Sequence, residues 1–521
     1  MLHHLARRRV GITGVCCAAL AAGLLSGCGG APNALVPVSS PAGSATASSA
    51  AVRAPSGPPS ATATGSAAPA TPTATAHPAA ADLGSGQVWA WGGYGDEDEP
   101  TPAGLPLPVR IGQLQDVTDI GLAGYETYFL KKDGTVWQWP TSPADAQALA
   151  APVGTTQVAG IDGVVSLVAV GDQSYGVAAL KKDGTVWAWL VPDTQTVGGA
   201  DDVPSTPAAV PGLTGVTSLA ATSGETVALV KKDGTVWTWK VSGTVTDGAV
   251  TFAAPVRVTG LTDVARLEGE DAAFAVKEDG SVWNWCADRS GCRTYRLPLA
   301  TKGGFTKPPV VDGAVVPLVT RVPGLNDPVA IHDSGGYGGA VAYAVAKDGT
   351  VWAWGDNDWG QIGDGTQTYR TVPTRVSGLT GVTQLVEFDT GYDGWGGTSA
   401  MAVTKKGDVW VWGNDDWGLF SGRETTYDAN PKRTGILSPR RLASLSSVTS
   451  LVAFVGDLSV ESPTLFAVHA DGTVSAWGGN LNGELADGGG KDTRKPATVA
   501  SLAGITRIVP YQVLGVVFAI Q

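Results

Sequence analysis

The chain has 521 residues, with 47 Asp and Glu against 35 Lys and Arg, for a formal charge of -12. That balance argues against a protein whose work is neutralising nucleic-acid phosphates, a task for Lys and Arg. Nothing in residues 84–521 is long and apolar enough to cross a membrane as a helix.

The first predicted element is an export signal. Arg7-Arg8-Arg9 is its basic region, and Val10 to Leu25 is an apolar core too short to be a comfortable transmembrane helix. Leu25-Ser26-Gly27-Cys28 resembles the bacterial lipobox, in which cleavage precedes the Cys and the sulfur takes lipid. Residues 1–27 are therefore expected to be a lipoprotein signal peptide and Cys28 the lipidated residue, with plain secretion as the alternative. The Arg triplet leaves twin-arginine export open beside the general route. Processing takes the charge from -12 to -15. Residues 28–83 are rich in Ala, Ser, Thr and Pro, with almost no large apolar side chain. Such a segment cannot bury enough surface to offset ordering entropy, so it is expected to be a disordered, lipid-anchored tether. The implied location is the outer face of a cytoplasmic membrane.

Residues 84–521 are organised by one repeat. Lys181-Lys182-Asp183-Gly184-Thr185-Val186-Trp187-Ala188-Trp189 recurs as Lys131–Trp139 and Lys231–Trp239, with looser copies ending at Trp91, Trp285, Trp354, Trp412 and Trp477. Asp-Gly between two alternating apolar runs is a strong hairpin signal, because Gly accepts a positive φ at the turn. Period 2 puts Trp187 and Trp189 on one face, with Val186 and Ala188 on the other. Fifteen of the 18 Trp lie in these motifs and are expected to pack between sheets, large against small. A short strand precedes each hairpin (Val216-Thr217-Ser218-Leu219, for example) and a Pro-Val segment follows it (Pro373-Thr374-Arg375-Val376). Four short strands repeated in series read as all-β propeller blades.

The motif ending at Trp91 has no strand pair before it, and the end of the chain, Gly504 to Ile520, is a pair with no motif after it. Each half completes the other. Seven whole units and one shared unit make eight blades, in a ring closed by pairing the N- and C-terminal strands.

The run Lys347 to Thr366, containing Trp354-Gly355-Asp356-Asn357-Asp358-Trp359-Gly360-Gln361-Ile362-Gly363, resembles the repeat of the regulator of chromosome condensation family. Trp477-Gly478-Gly479-Asn480-Leu481-Asn482-Gly483-Glu484-Leu485 is a weaker copy, and units two to four keep only Asp-Gly-Thr-Val-Trp. The resemblance implies a propeller, in which seven blades would be the family's usual number. The family's eukaryotic member exchanges guanine nucleotides and binds chromatin, partners that an exported acidic chain does not meet. A secreted bacterial relative that inhibits β-lactamases presents the scaffold as an extracellular protein binder. The chain thus reads as a bacterial exported lipoprotein member.

Alternating strand direction gives the disc two unlike faces. One carries the Lys-Lys-Asp-Gly turns, and its lysines are expected to be solvated. The other carries long loops with all three Trp outside the motif. Trp359, Trp395 and Trp417, with Tyr392 and Tyr337, form the expected partner-binding set, and the alternative is that these Trp fold back over the blades. Cys286 and Cys292 remain after processing and are expected to staple a loop on that face as a disulfide.

Beyond residue 84 the histidines are His332 and His469, far apart in sequence. No nucleophile elbow, phosphate loop or His-Glu-x-x-His run occurs. No catalytic residue, metal or cofactor is expected. The leading expectation is a non-enzymatic, surface-tethered propeller that binds an extracellular or envelope protein, touching the membrane through its lipid anchor alone and binding no nucleic acid. A carbohydrate-binding or carbohydrate-cleaving propeller, with Trp stacked on a glycan, is the first alternative. A purely structural envelope lipoprotein is the second.

Overall fold

The structure, a computed structural model, describes residues 86–521 except 94–104, 112–113, 124–125, 140–154, 171–174, 192–204, 223–225, 242, 247–248, 270–273, 286–309, 312–313, 316–318, 335–340, 390–396, 423–434, 456–461 and 512–514. Every described element is a β-strand, and eight four-stranded antiparallel sheets form an eight-bladed β-propeller. Blade one runs outward from the axis as Val117–Ala123, Glu126–Lys131, Val136–Trp139 and Thr156–Gln157. Blades two to seven repeat that order. The closing blade is shared: Arg507–Tyr511 and Val516–Ile520 supply its inner strands, and Val88–Gly92 and Leu105–Arg110 its outer ones. Trp89 lies opposite Ala519 and Trp91 opposite Val517, so the last strand of the chain pairs with the first described strand.

The hairpin turns explain why the repeat keeps its glycine. The turn residues Gly134, Gly184, Gly234, Gly280, Gly349, Gly407 and Gly472 all have φ between 71° and 82°, a region costly for other residues. Their carbonyls also hold the next blade. Gly134 O accepts from Val164 N at 3.0 Å, and Gly349 O from Val382 N at 3.0 Å. A Cβ on Gly349 would stand 2.5 Å from the Cα of Gly381. The turn glycine therefore satisfies a local dihedral and a blade-to-blade contact at once.

The seams between blades are aromatic. The second Trp of each motif is buried, and in five blades it meets a ring on the second strand of the preceding blade edge-on. Trp189 packs on Tyr128 at 5.5 Å between ring centroids, Trp354 on Phe274 at 5.8 Å, Trp412 on Tyr343 at 6.1 Å and Trp91 on Phe466 at 6.0 Å. The expectation of large against small holds for the third strands, but not for the second strands of blades one, four, five and seven and of the closing blade, which carry rings of their own. Blade two has Ala178 at that position, and there Phe252, from the inserted ribbon Gly243–Thr246 and Ala249–Phe252, stands 5.1 Å from Trp239 instead. Buried edge-to-face pairs contribute about 0.5–1.5 kcal/mol each beyond area burial.

The inner strands are latched as well. Gln384 of blade six donates to Leu451 O at 3.0 Å and accepts from Leu451 N at 2.8 Å in blade seven. The outer strands end the sheets at the rim. Pro106, Pro108, Pro373, Pro439 and Pro496 sit in them, where a missing N–H discourages pairing with another edge.

Candidate partner-binding face

The hairpin turns and the links between blades emerge on one face, as the Gly134–Val164 bond requires. That face is not a free lysine ring. Asp133 Oδ1 accepts from the Thr135 amide at 3.0 Å and from its hydroxyl at 2.6 Å, and Thr135 Oγ1 accepts from Trp137 Nε1 at 3.0 Å. In four blades the first lysine of the turn then lies over that Trp. Lys131, Lys181, Lys231 and Lys277 stand 5.4, 5.0, 4.9 and 4.9 Å from the rings of Trp137, Trp187, Trp237 and Trp283. In three of these blades the second lysine (Lys132, Lys182, Lys232) is exposed, and in blade six Lys405 and Lys406 both are. The sequence reading treated both as solvated. Cation–π attraction to half-buried indoles covers the first.

The opposite face carries the connections from first to second and from third to fourth strands. Two ribbons are inserted there, one ending at Phe252 and the other pairing Val310–Val311 with Ala314–Val315. In blades five and seven the connection folds into a closed segment. Asn357 Oδ1 accepts from Ile362 N at 2.9 Å, and its Nδ2 donates to Thr366 O at 3.0 Å and Thr368 O at 3.1 Å. Gln361 Oε1 accepts from Trp359 N at 2.8 Å. Gln361 O accepts from Tyr343 Oη and from Trp412 Nε1, both at 2.8 Å. In blade seven Asn480 Oδ1 accepts from Leu485 N at 2.8 Å, and Glu484 O accepts from Trp91 Nε1 at 2.6 Å. These segments therefore clasp one blade to the next, and Asn357 and Asn480 are bonded within them, while Gln361 Nε2 is buried without a hydrogen-bond partner among the described residues.

This overturns one expected binding residue. Trp359 is only 4 % exposed. Its indole lies where a Cβ on Gly397 of the next blade would be 2.3 Å from its Cδ1. It has folded back into the seam because Gly397 leaves room for it, so it presents no ring to a partner. Trp417 is half-buried against Phe388, Leu419 and Phe420. Asp415 and Asp416 lie beside it, and burial pushes the Asp416 carboxyl up. Trp395, Tyr392, Tyr337, Cys28, Cys286 and Cys292 lie outside the described residues.

Sequence reasoning passed over one cluster. His332, on the blade-five inner strand Ala330–Ser334, faces Glu387, on the blade-six inner strand Val382–Asp389, with 3.5 Å between Nδ1 and Oε2. Arg266 and Glu268 sit on the inner strand of blade four, Nε to Oε1 2.7 Å. Burial pushes the Glu387 carboxyl up to about 7. Burial pushes the His332 imidazole down, and the Glu268 charge opposes that shift. A signal existed: at the register position of His332, which pairs with Tyr343, five of the other blades carry Gly121, Val168, Ala220, Val386 and Val452.

Residues 348–393, which hold the third and fourth strands and the clasp of blade five and the inner strand of blade six, match the model of the Regulator of chromosome condensation (RCC1) repeat. The chain carries an RCC1 repeat. Similarity to curated proteins covers longer stretches of the chain. The E3 ubiquitin-protein ligase HERC2 of Mus musculus is 27% identical over 244 residues, 47% of this chain and 4% of that protein. The mitochondrial RCC1 domain-containing protein RUG3 of Arabidopsis thaliana is 28% identical over 181 residues, 32% of this chain and 35% of that protein. The chain thus spans well under two thirds of these curated relatives. Among solved structures, yeast RCC1 (Prp20) bound to Kap60 is 16% identical with a TM-score of 0.45, covering 84% of this chain and 90% of that one. Human WBSCR16 is 14% identical with a TM-score of 0.42, covering 83% and 98%.

Proposed function

We propose that the chain is a non-enzymatic RCC1-like propeller that holds a macromolecular partner, a protein, on its loop face. One observation carries the reading. Chain added to the repeated frame, including both ribbons, enters on one face, while the other face repeats the same short turn from blade to blade. Variable loops on a rigid ring are how scaffolds build binding surfaces. In the same reading residues 1–27 direct export, Cys28 carries lipid, residues 28–83 tether the ring outside the membrane, and Cys286 and Cys292 form a disulfide. Mass spectrometry of the mature chain, with and without reduction, tests the cleavage after residue 27, the lipid on Cys28 and the disulfide.

The binding test uses the full mature chain in pull-downs from envelope extract and culture fluid. Asp358 and Leu481 are exposed on the clasps of blades five and seven. A partner protein retained by the wild type and by Lys182→Glu/Lys232→Glu, but lost from Asp358→Lys/Leu481→Lys, supports the loop face. Loss from the turn-face variant alone overturns it. A second reading, glycan binding, is favoured by the half-buried Trp417 beside Asp415 and Asp416. Retention of glycan with no protein would select it.

A further inference from the structure

The seam between blades five and six brings together an acid and a base, and the charge of Glu268, itself bound to Arg266, also reaches His332. Glu387 Oε2 is buried and has no hydrogen-bond partner among the described residues. The Glu387 side chain is 15% exposed and that of His332 31%. The neighbours are accounted for. Tyr343 spends its hydroxyl on Gln361 O. Arg266 is bound to Glu268, Asp327 and Pro328 O. Asp333 is buried on the His332 strand and Glu268 acts on His332 rather than on Glu387. Blade six's second strand, Thr398–Thr404, and blade seven's inner strand, Val448–Val455, carry no Asp, Glu, His, Lys or Arg.

We propose that His332 and Glu387 share one proton across this seam, and that blades five and six are held most tightly when the pair contains that single proton. With one proton the pair is neutral overall, as imidazole beside carboxylic acid or imidazolium beside carboxylate. A second proton leaves a lone imidazolium. Loss of the first leaves a lone carboxylate. Either places an uncompensated charge in a packed seam, which is costly. The directions agree with this. A carboxyl raised from 4.5 to about 7 gives stability that is full below 4.5 and is lost as pH rises through about 7. An imidazole lowered from 6.5 gives stability that is present above 6.5 and is lost as pH falls through the lowered value. The dependence is bell-shaped. It is independent of the binding reading.

Hydrogen–deuterium exchange of the full mature chain, corrected for the intrinsic pH dependence of exchange, tests it from about pH 4 to pH 9. Protection of Ala330–Ser334 and Val382–Asp389 should pass through a maximum and fall about threefold on the alkaline side, because the folded pair keeps its proton to about pH 7 and the unfolded imidazole to 6.5. Val448–Val455 of blade seven should stay flat. Glu387→Gln should remove the alkaline limb and keep the acid limb, and His332→Gln should do the reverse. A flat wild-type profile, or variants that each keep both limbs, overturns the proposal.

Discussion

Arg507 Nη2 donates to Asp119 Oδ1 at 3.0 Å, joining residues 388 positions apart across the seam where the ring closes. The same guanidinium donates from Nη1 to Thr118 O at 3.0 Å. Both side chains are mostly covered, 27% and 21% exposed. Arg507→Ala and Asp119→Ala should each lower the unfolding free energy by about 1 kcal/mol, with a coupling of about 0.5 kcal/mol in a double-mutant cycle followed by urea unfolding. Additive effects would mean that the bond adds nothing to closure.

The clasp makes two Trp substitutions unequal. Trp412 Nε1 donates to Gln361 O at 2.8 Å, whereas Trp477 Nε1 is buried with no partner among the described residues. In blade six the residue at the Gln361 position is Leu419, within Asn414-Asp415-Asp416-Trp417-Gly418-Leu419, and Trp477 Nε1 has no carbonyl as partner among the described residues. Trp412→Phe should cost about 1 kcal/mol more than Trp477→Phe, the worth of one buried hydrogen bond. Equal losses in thermal unfolding would remove the clasp from the energetics.

Gly397 is the floor under Trp359. An added Cβ would approach the indole to 2.3 Å, and the ring would have to leave its seat. Gly397→Ala should destabilise by about 1–3 kcal/mol, as overpacking does. A red shift in Trp emission should accompany it, and should be absent from Gly397→Ala in a Trp359→Phe background.

Blade five should lose stability in acid through Asp364. Burial pushes that carboxyl up, but bonds from Thr366 and Arg370 outweigh burial and hold it below its ordinary value of 3.8. A depressed carboxyl pKa contributes above the unfolded value and is lost as pH falls through the folded one. Asp364→Asn should therefore flatten the fall in melting temperature below about pH 4. An unchanged acid limb would place that sensitivity elsewhere.

The blades, their number and the shared closing unit were legible because their signals are local. Asp133-Gly134 and its copies announce hairpins, and period 2 carries the Trp faces. The lysine pairing with Trp137 was not legible, since residues six apart in sequence meet only once the hairpin has folded. The seat of Trp359 depends on Gly397 in another blade. His332 and Glu387 lie 55 positions apart and become neighbours only when two inner strands meet. The sequence showed which residues repeat. It did not show which residues face each other across a seam.

Sharing one blade between the two ends of the chain has a consequence for how the molecule is made. Val88–Gly92 is synthesised early and must wait, unpaired on one side, until Val516–Ile520 has emerged. If export threads the chain linearly, the ring can lock only after nearly all of it has crossed. Until then its earliest strand offers an open edge to chaperones, proteases and other copies. Truncation within the last strand would cost far more than five residues, because it would leave both ends of the circle without a partner.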